Sequence, residues 1–222
     1  MDLTINHIKK GFKNKSVLED ITFSANRGEC IGILGGNGCG KTTLLSILAG
    51  TVSADEGSFC WSGKELLGSK GSRSKVVGYV PQGTPLFEEL TAKDNLRLWY
   101  DRKEMLHQLK GGVLELLGIH EFLSVPVSKM SGGMKKRLSI GCAVAGKQPI
   151  LLLDEPTAAL DLVCKQRIWD YLSDYQAKGG IILLVTHDVQ EIERCNSCYL
   201  MQDGKLVPYE YDGNVRHLVE QL

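Results

Sequence analysis

No stretch of the chain approaches the run of about 18 apolar residues that a helix needs to cross a bilayer. The opening Met1-Asp2-Leu3-Thr4 lacks the basic-then-apolar order of a secretory signal. A soluble, cytoplasmic chain is the expectation. Charge of one sign is lacking too: 26 basic side chains are matched by 26 acidic ones. That balance removes the overall attraction to nucleic acid or to an anionic membrane that a basic protein would have. Aromatics are sparse at 7%, yet 43% hydrophobic content over 222 residues can bury a core without disulfides or a structural metal. The 7 cysteines are an odd, scattered set, which excludes a disulfide framework and reads as small buried hydrophobes in a reducing compartment.

What is present is organised around short apolar runs. Cys30-Ile31-Gly32-Ile33-Leu34, Ile150-Leu151-Leu152-Leu153 and Ile181-Ile182-Leu183-Leu184-Val185 each end at a polar or glycine cluster. Strands buried on both faces have this composition. Between the last two, Cys164, Ile168, Tyr171, Leu172 and Tyr175 fall at the spacing of one helical stripe. Strand, helix, strand in that order predicts a parallel α/β sheet. Leu3 to Ile8, Ile21 to Ala25 and Ser58 to Trp61 predict an antiparallel patch beside it. Helical candidates are Asp94 to Tyr100, Glu104 to Leu117 with a possible break at Gly111-Gly112, and Gly132 to Ala145. They suggest a helical insertion over about 85–146 within a core of about 1–84 and 147–222. The stretch from Gly68 to Lys75 reads as a polar loop.

Directly after the first apolar run, Gly35-Gly36-Asn37-Gly38-Cys39-Gly40-Lys41-Thr42-Thr43 satisfies G-x-x-x-x-G-K-[ST] and leads into a plausible helix. Glycines let the backbone curl so that its N–H groups face phosphate oxygens, and the helix N-terminus adds partial positive charge. Lys41 is placed to meet the β- and γ-phosphates of a nucleotide, and the Thr42 hydroxyl to bind Mg²⁺. The run Ile150 to Leu153 delivers Asp154 and Glu155 at a strand's C-terminal end, where ligand sites of α/β sheets form. One acid can serve the metal and the other the attacking water. Taken alone, an Asp-Glu pair is more often a solvated strand end; the phosphate loop changes that reading.

The segment Lys129-Met130-Ser131-Gly132-Gly133-Met134-Lys135-Lys136-Arg137-Leu138 resembles the signature loop of ATP-binding cassette (ABC) proteins. Tyr79-Val80-Pro81-Gln82, the run from Leu153 to Asp161 and Thr186-His187-Asp188 agree in order with the same family, so the resemblance spans about Phe12 to His187. It implies a phosphate-loop ATPase fold with a parallel sheet, an antiparallel N-terminal patch and a helical subdomain. It also implies ATP and Mg²⁺ as cofactors, and a head-to-tail dimer in which the signature loop of one subunit completes the site of the other. By the resemblance, Ser131, Gly132 and Gly133 contact nucleotide in trans, and Asp161 reaches across the interface. Gln82 senses Mg²⁺ and water, His187 contacts the γ-phosphate, and Phe12 stacks on adenine. Read without the family, Ser131 and Asp161 are helix N-caps, His187 and Gln82 are loop residues, and Phe12 packs on its own domain. Met134 stands where many members have Gln and cannot make an amide's hydrogen bonds. Met134 with the basic residues after it, and the stretch Pro85 to Ala92, resemble the drug- and polysaccharide-exporting branch.

The expected function is the ATPase subunit of an ABC exporter, held at the inner face of the membrane by a separate permease, as a homodimer or heterodimer without nucleic-acid contact. The alternative is a soluble ABC-type ATPase acting as a switch or scaffold, for example in iron–sulfur assembly. Cys195-Asn196-Ser197-Cys198 has the spacing of a redox or metal pair but lacks a second pair, so packing is expected. Lys135-Lys136-Arg137 reads as a solvated helix face. Cys39, inside the phosphate loop beside Lys41, is a candidate target for thiol reagents.

Overall fold

The computed structural model describes residues 1–13, 15–158 and 160–221, without the side chain of Lys70. Ala159, within the run that follows Glu155, lies outside the described residues. The strands are β1 (Leu3–Phe12), β2 (Lys15–Ala25), β3 (Cys30–Leu34), β4 (Glu56–Trp61), β5 (Lys64–Glu65), β6 (Val77–Val80), β7 (Ile150–Asp154), β8 (Ile181–Val185), β9 (Ser197–Gln202) and β10 (Lys205–Tyr209). The helices of the first half are α1 (Lys41–Ala49), α2 (Lys70–Arg73), α3 (Ala92–Arg97), α4 (Arg102–Gln108) and α5 (Val113–Leu116). Those that follow are α6 (Gly132–Ala143), α7 (Leu162–Ala177), α8 (Val189–Ile192) and α9 (Val215–Gln221).

The predicted strands β3, β7 and β8 are buried along their whole length. Alternation explains why they read as unbroken apolar runs. Leu151, Leu153, Ile182 and Leu184 point to the layer containing α6 and α7. Ile150, Leu152, Ile181 and Leu183 point to the layer containing α1 and the N-terminal strands. Both faces exclude water, so the residues at both parities are apolar until Asp154 at the end of β7. Among the described residues the strands form one ten-stranded sheet in the order β5-β4-β1-β2-β10-β9-β3-β8-β7-β6. β3, β8, β7 and β6 pair in parallel, whereas β1 pairs antiparallel with β2 and β4.

The strand order positions the site. The carboxyl ends of β3, β8, β7 and β6 lie side by side, and each opens into a segment that the sequence marks: the phosphate loop, Thr186-His187, Glu155 and Pro81-Gln82. Ligands of parallel α/β sheets collect at that edge.

The helical insertion is more fragmented than its periodicity suggests. The expected helix from Glu104 to Leu117 is two, α4 and α5, separated at Gly111, whose φ of 132° disfavours any side chain. The polar stretch from Gly68 to Lys75 contains α2, and Arg73 is buried there, donating to Ile47 O at the end of α1 with a 2.7 Å bond. The basic run on α6 is not a solvated face. Lys136 and Arg137 are 5% and 6% exposed, and backbone carbonyls from other segments receive their hydrogen bonds. Cys195 and Cys198 pack as expected, near Cys30, with 3.7 Å between the sulfurs of Cys30 and Cys195. A Cβ on Gly32 would lie 2.9 Å from Cys198 Sγ, so this glycine makes room for the thiols.

Candidate active site

Between β3 and α1 the chain takes left-handed turns at Gly35, Gly38 and Gly40, with φ of 144°, 78° and 116°. Space restricts Gly35 as well, since a Cβ there would stand 2.7 Å from Met201 O. Gly40 caps α1 with no side chain to accept from the first-turn amides. Those donors stay free for an anion. Lys41 is buried, and its ammonium curls back over the loop to donate to Gly35 O at 2.6 Å and Gly36 O at 2.9 Å. The positive charge therefore sits inside the cradle. Asn37 and Gly38 form its exposed turn, and Thr43 continues the helix next to Thr42.

Thr42 Oγ1 donates to Asp154 Oδ2 at 2.8 Å, tying the start of α1 to the end of β7. Burial raises the Asp154 carboxyl above its ordinary value, and the Thr42 hydroxyl and the charges of Lys136 and Lys41 oppose that rise. Hydroxyl and carboxylate are the hard oxygen donors Mg²⁺ prefers, and this ion takes few protein ligands when phosphate oxygens and water complete its shell. Among the described residues no group of three His, Cys, Asp or Glu could hold a metal alone. Thr42 and Asp154 thus fit an ion bound jointly with phosphate, not a protein-only cage.

Glu155 leaves β7 in the left-handed region, with φ of 47°. A glutamate gains nothing locally from that backbone, so the surroundings impose it, as happens at functional sites. Its amide still donates to Val185 O at 2.9 Å, which anchors the turn. Gln82 Nε2 donates to Glu155 Oε2 at 2.9 Å. His187 Nε2 stands 3.6 Å from Glu155 Oε1. Burial lowers the His187 value, Lys41 pushes in the same direction and Glu155 opposes, so the ring is held towards its neutral form. One carboxylate thus meets an amide from the β6 loop and an imidazole from the β8 loop.

Two further residues escape sequence reading. Glu191, 2% exposed, accepts from Thr157 Oγ1 at 2.5 Å and joins the segment after Glu155 to the helix after His187. Lys136 donates to Pro81 O at 3.0 Å and Gln82 O at 3.1 Å. Neither belongs to a spacing pattern; each is defined by the strand ends it bridges.

Ser131 accepts from Met134 N at 3.3 Å, and Asp161 from Cys164 N at 2.8 Å, so both are N-caps. Among the described residues no hydrogen bond or ion pair links Ser131, Gly132 or Asp161 to the phosphate loop. Ser131 and Gly132 are exposed. Gly133 is buried, and a Cβ there would lie 2.6 Å from Cys164 Sγ, so packing against α7 already requires its glycine. Met134 is half-buried against the core, which gives its thioether a packing role. Phe12 is 47% exposed at the end of β1, with Lys10 Nζ 5.2 Å from its ring. A cavity of about 900 Å³ lies elsewhere, at the amino ends of the strands near Arg27, Pro149 and Gly180.

A glycine cradle, a hydroxyl–carboxylate pair and a strained glutamate converge as in a phosphate-loop nucleotide-binding fold. The ABC transporter family model matches residues 18–158, and the chain belongs to that family. It is 31% identical to the probable multidrug ABC transporter ATP-binding protein YbhF of Escherichia coli, covering 99% of this chain and 39% of the relative. It is 34% identical to the Nod factor export ATP-binding protein I of Sinorhizobium fredii, over 92% of this chain and 61% of that protein. The chain thus spans less than two thirds of the length of these relatives. Among solved structures, an ATP-binding subunit of an ABC transporter aligns with a TM-score of 0.84 and 28% identity over 100% of this chain and 95% of that one. A dimeric ATP-binding cassette in a post-hydrolysis state with ADP and Pi aligns with a TM-score of 0.81 and 25% identity, over 94% of this chain and 98% of that one.

Proposed function

We propose that this chain binds and hydrolyses ATP as the motor subunit of an exporter. The observation that carries the reading is the meeting of Gln82 and His187 on Glu155, beside Thr42 and Asp154, at one sheet edge. Lys41 and the loop amides, from Gly35 through Asn37, Gly38, Cys39, Gly40 and Thr43, hold the phosphates. Thr42 and Asp154, with Gln82, would hold Mg²⁺, which when bound would supply positive charge to offset that building on the transferred phosphoryl group. Glu155 accepts hydrogen from the attacking water, and the neutral His187 holds that geometry. Phe12 offers a ring for the adenine.

Dimerisation follows from exposure. Ser131 and Gly132 present an exposed hydroxyl and backbone at the start of α6, and Asp161 stands exposed at the start of α7. A second copy, or a homologous chain, would bring these groups to the nucleotide, so ATP would favour the closed dimer through contacts made only there. Among the described residues no helix is long and apolar enough to cross a bilayer. In this reading the partner is a separate membrane permease, in keeping with the multidrug and Nod factor export relatives. The multidrug and Nod factor export relatives support export over a soluble switch in iron–sulfur assembly.

The test is Mg²⁺-dependent ATP hydrolysis together with ATP-induced dimerisation by light scattering on the purified chain. Turnover with dimer formation is expected. An absence of ATP binding by calorimetry would overturn the reading.

A further inference from the structure

Lys136 was expected in solvent; instead its ammonium is buried and aimed out of the helical insertion into the core. Its stem belongs to α6, five residues beyond Ser131, and its head donates to two successive carbonyls, Pro81 O at 3.0 Å and Gln82 O at 3.1 Å. Those carbonyls lie where β6 ends and the chain turns into the insertion. The side chain of the same Gln82 donates to Glu155 at 2.9 Å. Backbone and side chain of one residue are thus held by two different elements: α6 holds the main chain, and the acid after β7 holds the amide.

A lysine is an expensive way to make two hydrogen bonds to neutral carbonyls. Burying its charge is unfavourable unless it is compensated. Burial lowers the Lys136 value, and the negative charges of Asp154, Glu155 and Glu191 offset part of that effect. The lysine is therefore electrostatically tied to the acids of the active site while it is hydrogen-bonded to the backbone that carries Gln82.

We propose that Lys136 is a positioning residue for ATP hydrolysis: it straps the Gln82 backbone to α6, the helix that opens with the signature loop, so that movement of that loop is passed to the amide on Glu155. The coupling needs no long pathway. Ser131 and Gly132 start the helix, Lys136 projects from its second turn, and the two carbonyls belong to Gln82 and the residue before it. The Met134 side chain carries no amide, and among the described residues the side-chain hydrogen bonds from α6 to Pro81 and Gln82 come from Lys136. This inference depends on the ATPase reading above and adds a residue that the phosphate loop and the acids do not require.

The experiment compares wild type, Lys136→Met, Lys136→Arg, Gln82→Ala and the double variant Lys136→Met with Gln82→Ala, all on the full chain. Lys136→Met keeps the stem and removes the donors. Its kcat should fall about tenfold, with KM and the affinity for a fluorescent ATP analogue changed less than about threefold, because the strap acts on water geometry and not on phosphate binding. Lys136→Arg, which restores cationic donors, should recover most of the rate. In the Gln82→Ala background, Lys136→Met should add less than about twofold, since residues acting through one another are non-additive. Losses that multiply, or a Lys136→Met rate within about twofold of wild type, would overturn the proposal. Hydrogen exchange gives a second readout that is independent of turnover. Amides from Val80 to Thr84 should exchange faster in Lys136→Met, with the β3 and β7 amides unchanged. Unchanged exchange in that segment rejects the strap even if the chain proves not to hydrolyse ATP. A wild type without ATPase activity but with the faster exchange in the variant rejects the functional reading alone.

Discussion

Gln82 and Glu155, 73 residues apart in sequence, are joined by a 2.9 Å hydrogen bond from the amide Nε2 to the carboxylate Oε2. The bond connects the exit of β6 to the exit of β7, neighbouring parallel strands. It also occupies one carboxylate oxygen and leaves the other towards His187, so amide, acid and imidazole form one unit.

Replacing Glu155 by Gln keeps the shape and removes the proton acceptor. The variant should bind ATP with near-normal affinity, accumulate as a dimer and lose hydrolysis by about a hundredfold or more. Calorimetry and light scattering with ATP check this. Brisk turnover would show that another group takes the proton.

Lys41 fills the cradle with its ammonium on Gly35 O and Gly36 O. Lys41→Ala removes the positive charge that a triphosphate would meet, and ATP affinity should drop by about tenfold or more. Equilibrium binding measures it. Retained affinity would move the phosphate site away from this loop.

Cys39 is half-buried in the same loop, with its sulfur 3.8 Å from Lys41 Nζ. A maleimide bonded there puts bulk into the phosphate cradle, so labelling should abolish ATP binding, and MgATP present beforehand should slow labelling. Cys39→Ser should be insensitive to the reagent. Full ATP binding after one equivalent has been mapped to Cys39 by mass spectrometry would contradict this.

Burial is the largest influence on Glu191 and raises its carboxyl above the ordinary 4.5, against the hydroxyls of Thr157 and Thr186. A folded value above the unfolded one means that this group's contribution to stability is complete below the unfolded value and is lost as pH rises through the folded one. Glu191→Gln cannot ionise and still accepts from Thr157. Its stability relative to wild type should therefore climb as pH rises from mildly acidic towards neutral and then level off. Urea unfolding across that range is the measurement, and a difference independent of pH would remove the linkage.

Tyr100 donates a buried 2.8 Å hydrogen bond to Gly141 O, pinning the segment after α3 to α6. Tyr100→Phe should cost about 1 kcal/mol and lower Tm by about 2–4 °C for a chain of this size. ATP affinity should not change, because the bond lies within the helical insertion.

The phosphate loop was legible because its chemistry is local: glycines, lysine and threonine act within a few bonds of one another, between a strand and a helix whose periods are readable. The strands β3, β7 and β8 were legible because burial on both faces leaves a continuous apolar run. The strands β9 and β10 were not read, and β6 was seen only through Gln82. These strands are short or half-exposed, and although β9 and β10 pair with each other across Asp203-Gly204, the pairings that seat β9 on β3, β10 on β2 and β6 on β7 are with segments far off in sequence.

The sequence alone determined the cradle, the adjacent acids Asp154 and Glu155, the capped helices at Ser131 and Asp161, and the parallel core, since each follows from local backbone geometry or from the period of burial. Tertiary structure decided the burial of Lys136 and Arg137, the bridge from Glu191 to Thr157 and the convergence of Gln82 and His187 on one carboxylate. A charged residue is tolerated inside only where distant carbonyls or acids come to meet it, and the sheet order that brings them together is a relation between strands that no single stretch of sequence contains.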